Sequence, residues 1–158
     1  MTSTQEAARP YPSIGQAVGQ AEASLTRLLS GILAEQGVSR QAYLALQRLT
    51  ALGGQASRDA YERDLSDWLE LDGPAAGRLA GEVIAAGFVS AEPDGTVRLT
   101  EPGRALREGV LADSAKVTVP MLATIDREEL EITVRTLDEI TRRARGIPAR
   151  QTTTEGSR

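Results

Sequence analysis

The stretch from Leu69 to Val89, LELDGPAAGRLAGEVIAAGFV, constrains the fold more than any other part of the chain. Asp72 offers a short carboxylate to the first free N–H groups of a helix. Pro74, just behind it, has the fixed φ and missing N–H that a first turn tolerates. Leu79, Val83 and Ile84 follow at helical spacing with Ala76 and Ala80 on neighbouring ridges, so one face is apolar and slim enough for close packing. Gly87 ends this helix as a C-cap, and Phe88-Val89 restarts the chain as a strand. Before it, Tyr61, Leu65, Trp68 and Leu69 mark another helix between Ser57 and Leu69. Two helices joined by a turn at residues 70–73 and followed by a strand make a helix-turn-helix leading into a wing.

The flanking segments fit that centre. Ser13 is the N-cap expected for a first helix, whose stripe of Ile14, Val18, Ala21, Leu25, Leu28, Leu29, Ile32 and Leu33 ends near Gly37. Ser39 starts a second helix with Tyr43, Leu44, Leu46, Leu49 and Leu52 inward, and Gly53-Gly54 stops it. After the central stretch, Glu92-Pro93-Asp94-Gly95 reads as a turn between strands at residues 88–91 and 96–99, because Pro presets φ and Gly supplies a positive one. Thr100 caps a long fifth helix running through Leu106, Val110 and Leu111 toward Val117. Pro120 is expected to kink or break it at a cost of roughly 3 kcal/mol. Asp126 and Glu129 have the spacing of a capping box for a last helix with Leu130, Val134, Leu137 and Ile140 as its stripe. Arg142, Arg143 and Arg145 gather in its last turn, where cations suit the helix dipole. The reading is therefore a mainly α chain with a small β-hairpin wing. A mobile arm is expected over residues 1–12, long dimerisation helices over 13–37 and 101–146, the winged helix-turn-helix over 38–100 and a disordered tail over 147–158.

Composition enters through what it excludes. With no Cys and no His there is no disulfide, thiolate or imidazole metal site, or histidine base. The acid pairs Asp64 with Asp67 and Glu128 with Glu129 have no nucleophile beside them and read as solvated helix faces. No enzyme, metal or cofactor is expected. No apolar run is long enough to span a membrane and no export signal opens the chain, so a cytoplasmic protein is expected. The net charge is −4, and between Gln55 and Ala115 six arginines face twelve acids, a local −6. A nucleic-acid binder built on this head must isolate a small basic face by folding. The Gly15-to-Gly19 spacing in the first helix suggests close packing.

Three segments, in order, resemble MarR-type winged-helix regulators. Residues 69–89 are similar, without a gap, to that family's Leu-Gly-Val-Ser…Val-Thr-Arg-Leu-Val…Leu…Gly-Leu-Val segment. Leu99-Thr100-Glu101-Pro102-Gly103-Arg104-Ala105-Leu106 resembles its Leu-Thr-Xaa-Xaa-Gly-Arg-Ala-Leu entry to the fifth helix. Residues 125–130 resemble the start of its last helix. The resemblance covers most of residues 30 to 145 and implies a homodimer that binds double-stranded operator DNA as a transcriptional regulator, a repressor by preference. A small-molecule effector would sit in a crevice between the dimer helices and the winged domain. Carried over by position, the family's Ser-Arg-Ser-Thr-Val-Thr-Arg reading segment becomes Asp72-Gly73-Pro74-Ala75-Ala76-Gly77-Arg78. Only Arg78 keeps its type. The implied DNA contacts are Pro74, Ala75, Gly77, Arg78 and Arg98, joined by Arg40, Arg58 and Arg63. Ile14, Val18, Leu25, Leu130, Val134, Leu137 and Ile140 are the implied dimer contacts. Trp68 reads either as a lid folded on the core or, with Tyr43, as a ligand or partner contact. The family's basic wing cluster is absent, and Glu82 stands where a base is common. An alternative follows from these departures: a dimer of this fold that no longer reads DNA and binds a protein or ligand instead.

Overall fold

Serine and aspartate caps set where the helices begin in the computed structural model, which describes residues 13–147. Ser13, Ser39, Ser57 and Asp72 each accept a hydrogen bond from the backbone N–H three residues on, at 2.9, 3.1, 3.2 and 2.7 Å. Each such cap stabilises its helix by about 1 kcal/mol. They open α1 (Ile14–Glu35), α2 (Arg40–Ala51), α3 (Arg58–Leu69) and α4 (Gly73–Ala85). Strand β1 (Gln55–Ser57) precedes α3, and β2 (Val89–Ala91) and β3 (Thr96–Leu99) follow α4. Helices α5 (Glu101–Leu122) and α6 (Arg127–Arg145) complete the chain. The expected arm and the tail from residue 148 lie outside the described residues. The chain divides into two compact units between Lys116 and Val117. No described helix is long and apolar enough to cross a membrane.

In the first unit one core joins α2, α3, α4 and the sheet. Ala45, Leu46 and Leu49 meet Tyr61 and Leu65, then Ala76, Leu79, Ala80 and Val83, with Val89, Val97 and Leu99 closing one side. The face expected of the central helix is thus the buried one. Tyr61 donates its hydroxyl to the Ala45 carbonyl at 2.9 Å, so its polar end is satisfied inside the core. Burial, then the Asp64 charge, push its phenol above the ordinary range. A second, smaller cluster holds Leu33, Tyr43 and Val110, with Leu106 packed against both. Gln36 donates to Asp113 at 3.1 Å beside it.

The wing is a three-stranded antiparallel sheet in the order β1-β3-β2, not a bare hairpin. Gln55 pairs with Arg98 and Ser57 with Thr96. Gly53 and Gly54, both at positive φ, turn the chain out of α2, and the Gly54 carbonyl accepts from Leu99 N–H at 2.9 Å. Three residues are too few to show an alternating pattern, which is why β1 is silent in sequence. Leu52, expected inward, is instead the C-cap of α2 and is 37% exposed. The Gly15-to-Gly19 spacing makes no close packing within the chain, since a Cβ at either would meet nothing within 4 Å.

At the start of α5 the main chain comes unusually near the sheet. The Thr100 hydroxyl donates to the Gly87 carbonyl at 2.7 Å and accepts from Gly103 N–H at 3.2 Å, while Thr100 N–H donates to the Phe88 carbonyl at 3.0 Å. A Cβ on Gly103 would lie 2.2 Å from that same Phe88 oxygen. Pro120 does not break α5, which runs on to Leu122. The proline stands in the last turn, so only one main-chain hydrogen bond is lost there.

In the second unit, Asp126 caps α6 by accepting from the N–H groups of Glu128 and Glu129 at 2.8 and 3.4 Å. Glu139 holds Arg142 at 2.6 Å and Arg143 at 2.5 Å, and these pairs keep its carboxyl below the usual range. The last-turn arginines are therefore partly spent within α6. The expected stripe is helical, but no α6 residue is buried: Leu130 is half-buried, and Val134, Leu137 and Ile140 are 57, 40 and 38% exposed in the single chain.

Candidate nucleic-acid interface

Helix α4 has one face locked into the core and the other turned outward. Ala76, Leu79, Ala80 and Val83 are buried, whereas Pro74, Arg78 and Glu82, four residues apart, are exposed along one line, with half-buried Ala75 beside them. The Asp72 carboxylate is engaged by Ala75 N–H, so the first turn of α4 is already capped. Arg78 is thus displayed by a rigid element, the arrangement that base reading requires. Ala75 presents a methyl group suited to a thymine methyl. Gly77 faces a neighbour rather than solvent: a Cβ there would lie 3.6 Å from the Glu62 carboxylate of α3.

The turn that presents α4 is fixed by Ser66. Its carbonyl accepts from Glu70 N–H and, at 3.1 Å, from Leu71 N–H, and its hydroxyl donates to the Leu71 carbonyl at 2.6 Å. Glu70 adopts the left-handed region, φ 53°, to close this turn. No glycine stands there to relieve it.

The bases around α4 are unequally available. Arg58, the first residue of α3, is held by Glu62 at 2.7 Å. Arg40, the first of α2, lies 3.4 Å from Glu22 of α1. Arg98 donates to the Gln55 side chain across the β1–β3 pair, which orients it on the sheet. Arg63 and Arg78 are exposed and make no ion pair among the described residues. The Arg78–Glu82 pair that their spacing permits is not formed among these contacts. A shallow cleft of about 390 Å³ between α3 and the start of α4 is lined by Asp59, Glu62, Arg63, Ser66 and Gly73. Its two acids outnumber its base. Among the described residues no group of three or more acids could hold a metal ion.

Trp68 is not a lid. It is 49% exposed, and the Arg48 guanidinium sits 4.3 Å from its ring centroid. That same guanidinium donates to Asp64 through two 2.8 Å bonds, and these bonds, with the Asp64 charge, raise the Arg48 pKa against the opposing effect of burial; both side chains are mostly buried. Asp64 is therefore a structural partner between α2 and α3, not part of a solvated face. Asp64 thus takes N–H donors of Arg48, while the Trp68 ring face attracts the same cation. Tyr43, the other candidate contact, is buried between Leu33 and Val110. Two partners are not marked in the sequence: Gln55, because its arginine lies on another strand, and Glu62, because its spacing from Arg58 along α3 permits a pair without fixing one.

No family model matches the sequence, and no curated protein is similar to it in sequence. Solved structures are. A MarR family protein from Bacillus stearothermophilus aligns with a TM-score of 0.67 at 20% identity, covering 82% of this chain and 91% of that one. The reduced form of MarR from E. coli aligns at 0.63 and 17%, covering 80% and 92%. BpsR of Bordetella bronchiseptica, whose DNA binding is regulated by 6-hydroxynicotinic acid, aligns at 0.63 and 18%, covering 84% and 98%. The chain has the winged helix-turn-helix fold of these MarR-type proteins over nearly their full length.

Proposed function

We propose that this chain is a dimeric transcriptional regulator of the MarR kind, a repressor that binds operator DNA in the cytoplasm and answers to a small molecule. The observation that carries the reading is the display of Arg78 on the outward line of α4, opposite a fully packed face, on a fold shared with such regulators. Arg63 and Arg98 lie on the neighbouring elements as phosphate contacts, which position a reading helix without carrying sequence information. Arg40 and Arg58 contribute only after leaving Glu22 and Glu62. Responsiveness to a ligand is supported by the similarity to BpsR.

Dimerisation is supported by exposed apolar faces. Ile14, Val18 and Leu25 on α1, and Val134, Leu137 and Ile140 on α6, are each 38–57% exposed, an apolar stripe on each helix left open in the single chain. A second copy of the chain would cover them. Val134→Asp or Leu137→Asp should then yield monomers or unfolded chain by light scattering, since an unpaired charge would enter the interface. A wild-type monomer at micromolar concentration would count against the dimer.

A second reading, a module that no longer reads DNA, is favoured by the acidic head, in which Glu62 already holds Arg58 and Glu101 holds Arg104. A mobility-shift titration at low salt, with random duplex and with the promoter of the chain's own gene, separates the two. Absence of binding to either would leave the interaction module.

A further inference from the structure

The wing carries its charge in the wrong place for a groove-reading element. Between Val89 and Leu99 there are two acids and one base, and both acids, Glu92 and Asp94, are in the turn. Each is fixed. Ser90 donates its hydroxyl to Glu92 at 3.2 Å, and the Asp94 carboxylate accepts from Thr96 N–H at 2.9 Å. Those bonds from Thr96, helped by the Arg98 charge, keep Asp94 ionised to lower pH than an ordinary carboxyl. Arg98 itself is turned to Gln55 on β1, at the stem of the wing.

The turn also has no slack. Glu92 N–H donates to the Thr96 carbonyl at 2.8 Å and Gly95 N–H to the Glu92 carbonyl at 3.0 Å, which close the loop on itself. The Gly95 carbonyl then accepts from Arg58 N–H at 2.9 Å, tying the turn to the first residue of α3. Entry into a minor groove only about 6 Å wide would bring these carboxylates between two lines of phosphates. That groove's negative potential attracts bases, and is strongest where it is narrow.

We propose that the wing does not read DNA: its pinned acidic turn stands off the flanking minor groove, so each protomer takes its sequence preference from α4 in one major groove. This rests on the DNA-binding reading above, and the experiment separates the two. The probe is the tightest duplex recovered from a random pool at low salt, with the pairs flanking the α4 footprint changed to G·C or to inosine·C. These two flanks differ only by the guanine amino group in the minor groove. Their affinities should agree within about twofold, whereas a preference for inosine·C flanks above roughly fivefold would overturn the proposal. Glu92→Gln combined with Asp94→Asn retains an acceptor for Thr96 and removes both charges. It should tighten binding by roughly two- to fivefold at low salt, a gain that fades as salt rises, and still show no flank preference. No tightening at any salt would overturn the role given to the turn's charge. Recovery of no duplex from the pool would instead defeat the DNA-binding reading, and this proposal with it.

Discussion

Two glycines of α5, six residues apart, should respond to the same substitution with opposite signs. At Gly103 an added Cβ would lie 2.2 Å from the Phe88 carbonyl oxygen, 2.9 Å from Leu99 Cδ1 and 3.1 Å from the Phe88 carbonyl carbon. Two of these atoms are main chain, and the oxygen already accepts from Thr100 N–H. Relief therefore requires α5 and β2 to separate by about 1 Å, an overpacking strain of roughly 1–3 kcal/mol or more. Weakening the Thr100 hydrogen bond adds about 1 kcal/mol, and the helix propensity of Ala returns about 0.8–1 kcal/mol. Gly103→Ala should thus lose a net 2 kcal/mol or so. At Gly109 the added Cβ meets only the Gln36 Nε2 atom at 3.9 Å, so Gly109→Ala should gain most of the propensity term, about 0.8 kcal/mol. Urea unfolding followed by far-UV circular dichroism, at one fixed protomer concentration, measures both. Gly103→Ala as stable as wild type, or the two variants shifted alike, would refute the reasoning.

Glu70 sits at φ 53° without the freedom of glycine, so Glu70→Gly should be stabilising by up to about 1 kcal/mol in thermal unfolding, while the β-branched Glu70→Val should lose about 1–2 kcal/mol. Arg48→Met strands the mostly buried Asp64 and uncovers Trp68; a loss of about 2–3 kcal/mol is expected, discounted from a fully buried pair for partial exposure, with a shift in Trp68 emission. Adding Asp64→Leu to that variant should recover part of the loss, which a double-mutant cycle reads directly. Arg78→Ala should weaken specific DNA binding by about 1–3 kcal/mol and relax preference at one position, whereas Arg98→Ala should weaken all sequences alike; an unchanged footprint for Arg78→Ala would remove it from the interface.

What the sequence displayed clearly was what side chains do to their own neighbourhood. Ser13, Ser39, Asp72 and Asp126 cap helices through bonds two to three residues long, and the Leu79–Val83 face follows from helical period alone. Distant pairings left no such trace. The two halves of β1–β3 stand 43 residues apart, and nothing in Gln-Ala-Ser announces a strand. Asp64 reads as solvated because its partner, Arg48, lies on another helix, and Trp68 stays open between a lid and a ligand or partner contact because the guanidinium against its ring lies on that helix too. The outward position of Arg78 was legible; the engagement of Arg58 by Glu62, which decides how much positive charge the head has to offer, depended on side-chain conformations that spacing leaves undetermined.

The small strand β1 has a consequence for how the head comes into being. Its pairing with β3 closes a loop that contains α3, α4 and β2, so α4 lies inside a ring fastened at Gln55 and Arg98. Closing a ring of this length costs chain entropy that grows only as (3/2)RT ln n, but that cost falls due before the pairing returns anything. The head should accordingly be one of the later parts to assemble and should open as one foldon, with the amides of central strand β3 among its slowest to exchange. A chain in which this ring is open would keep the Ser66 turn that joins α3 to α4 but would lack the paired sheet that closes the core beside them.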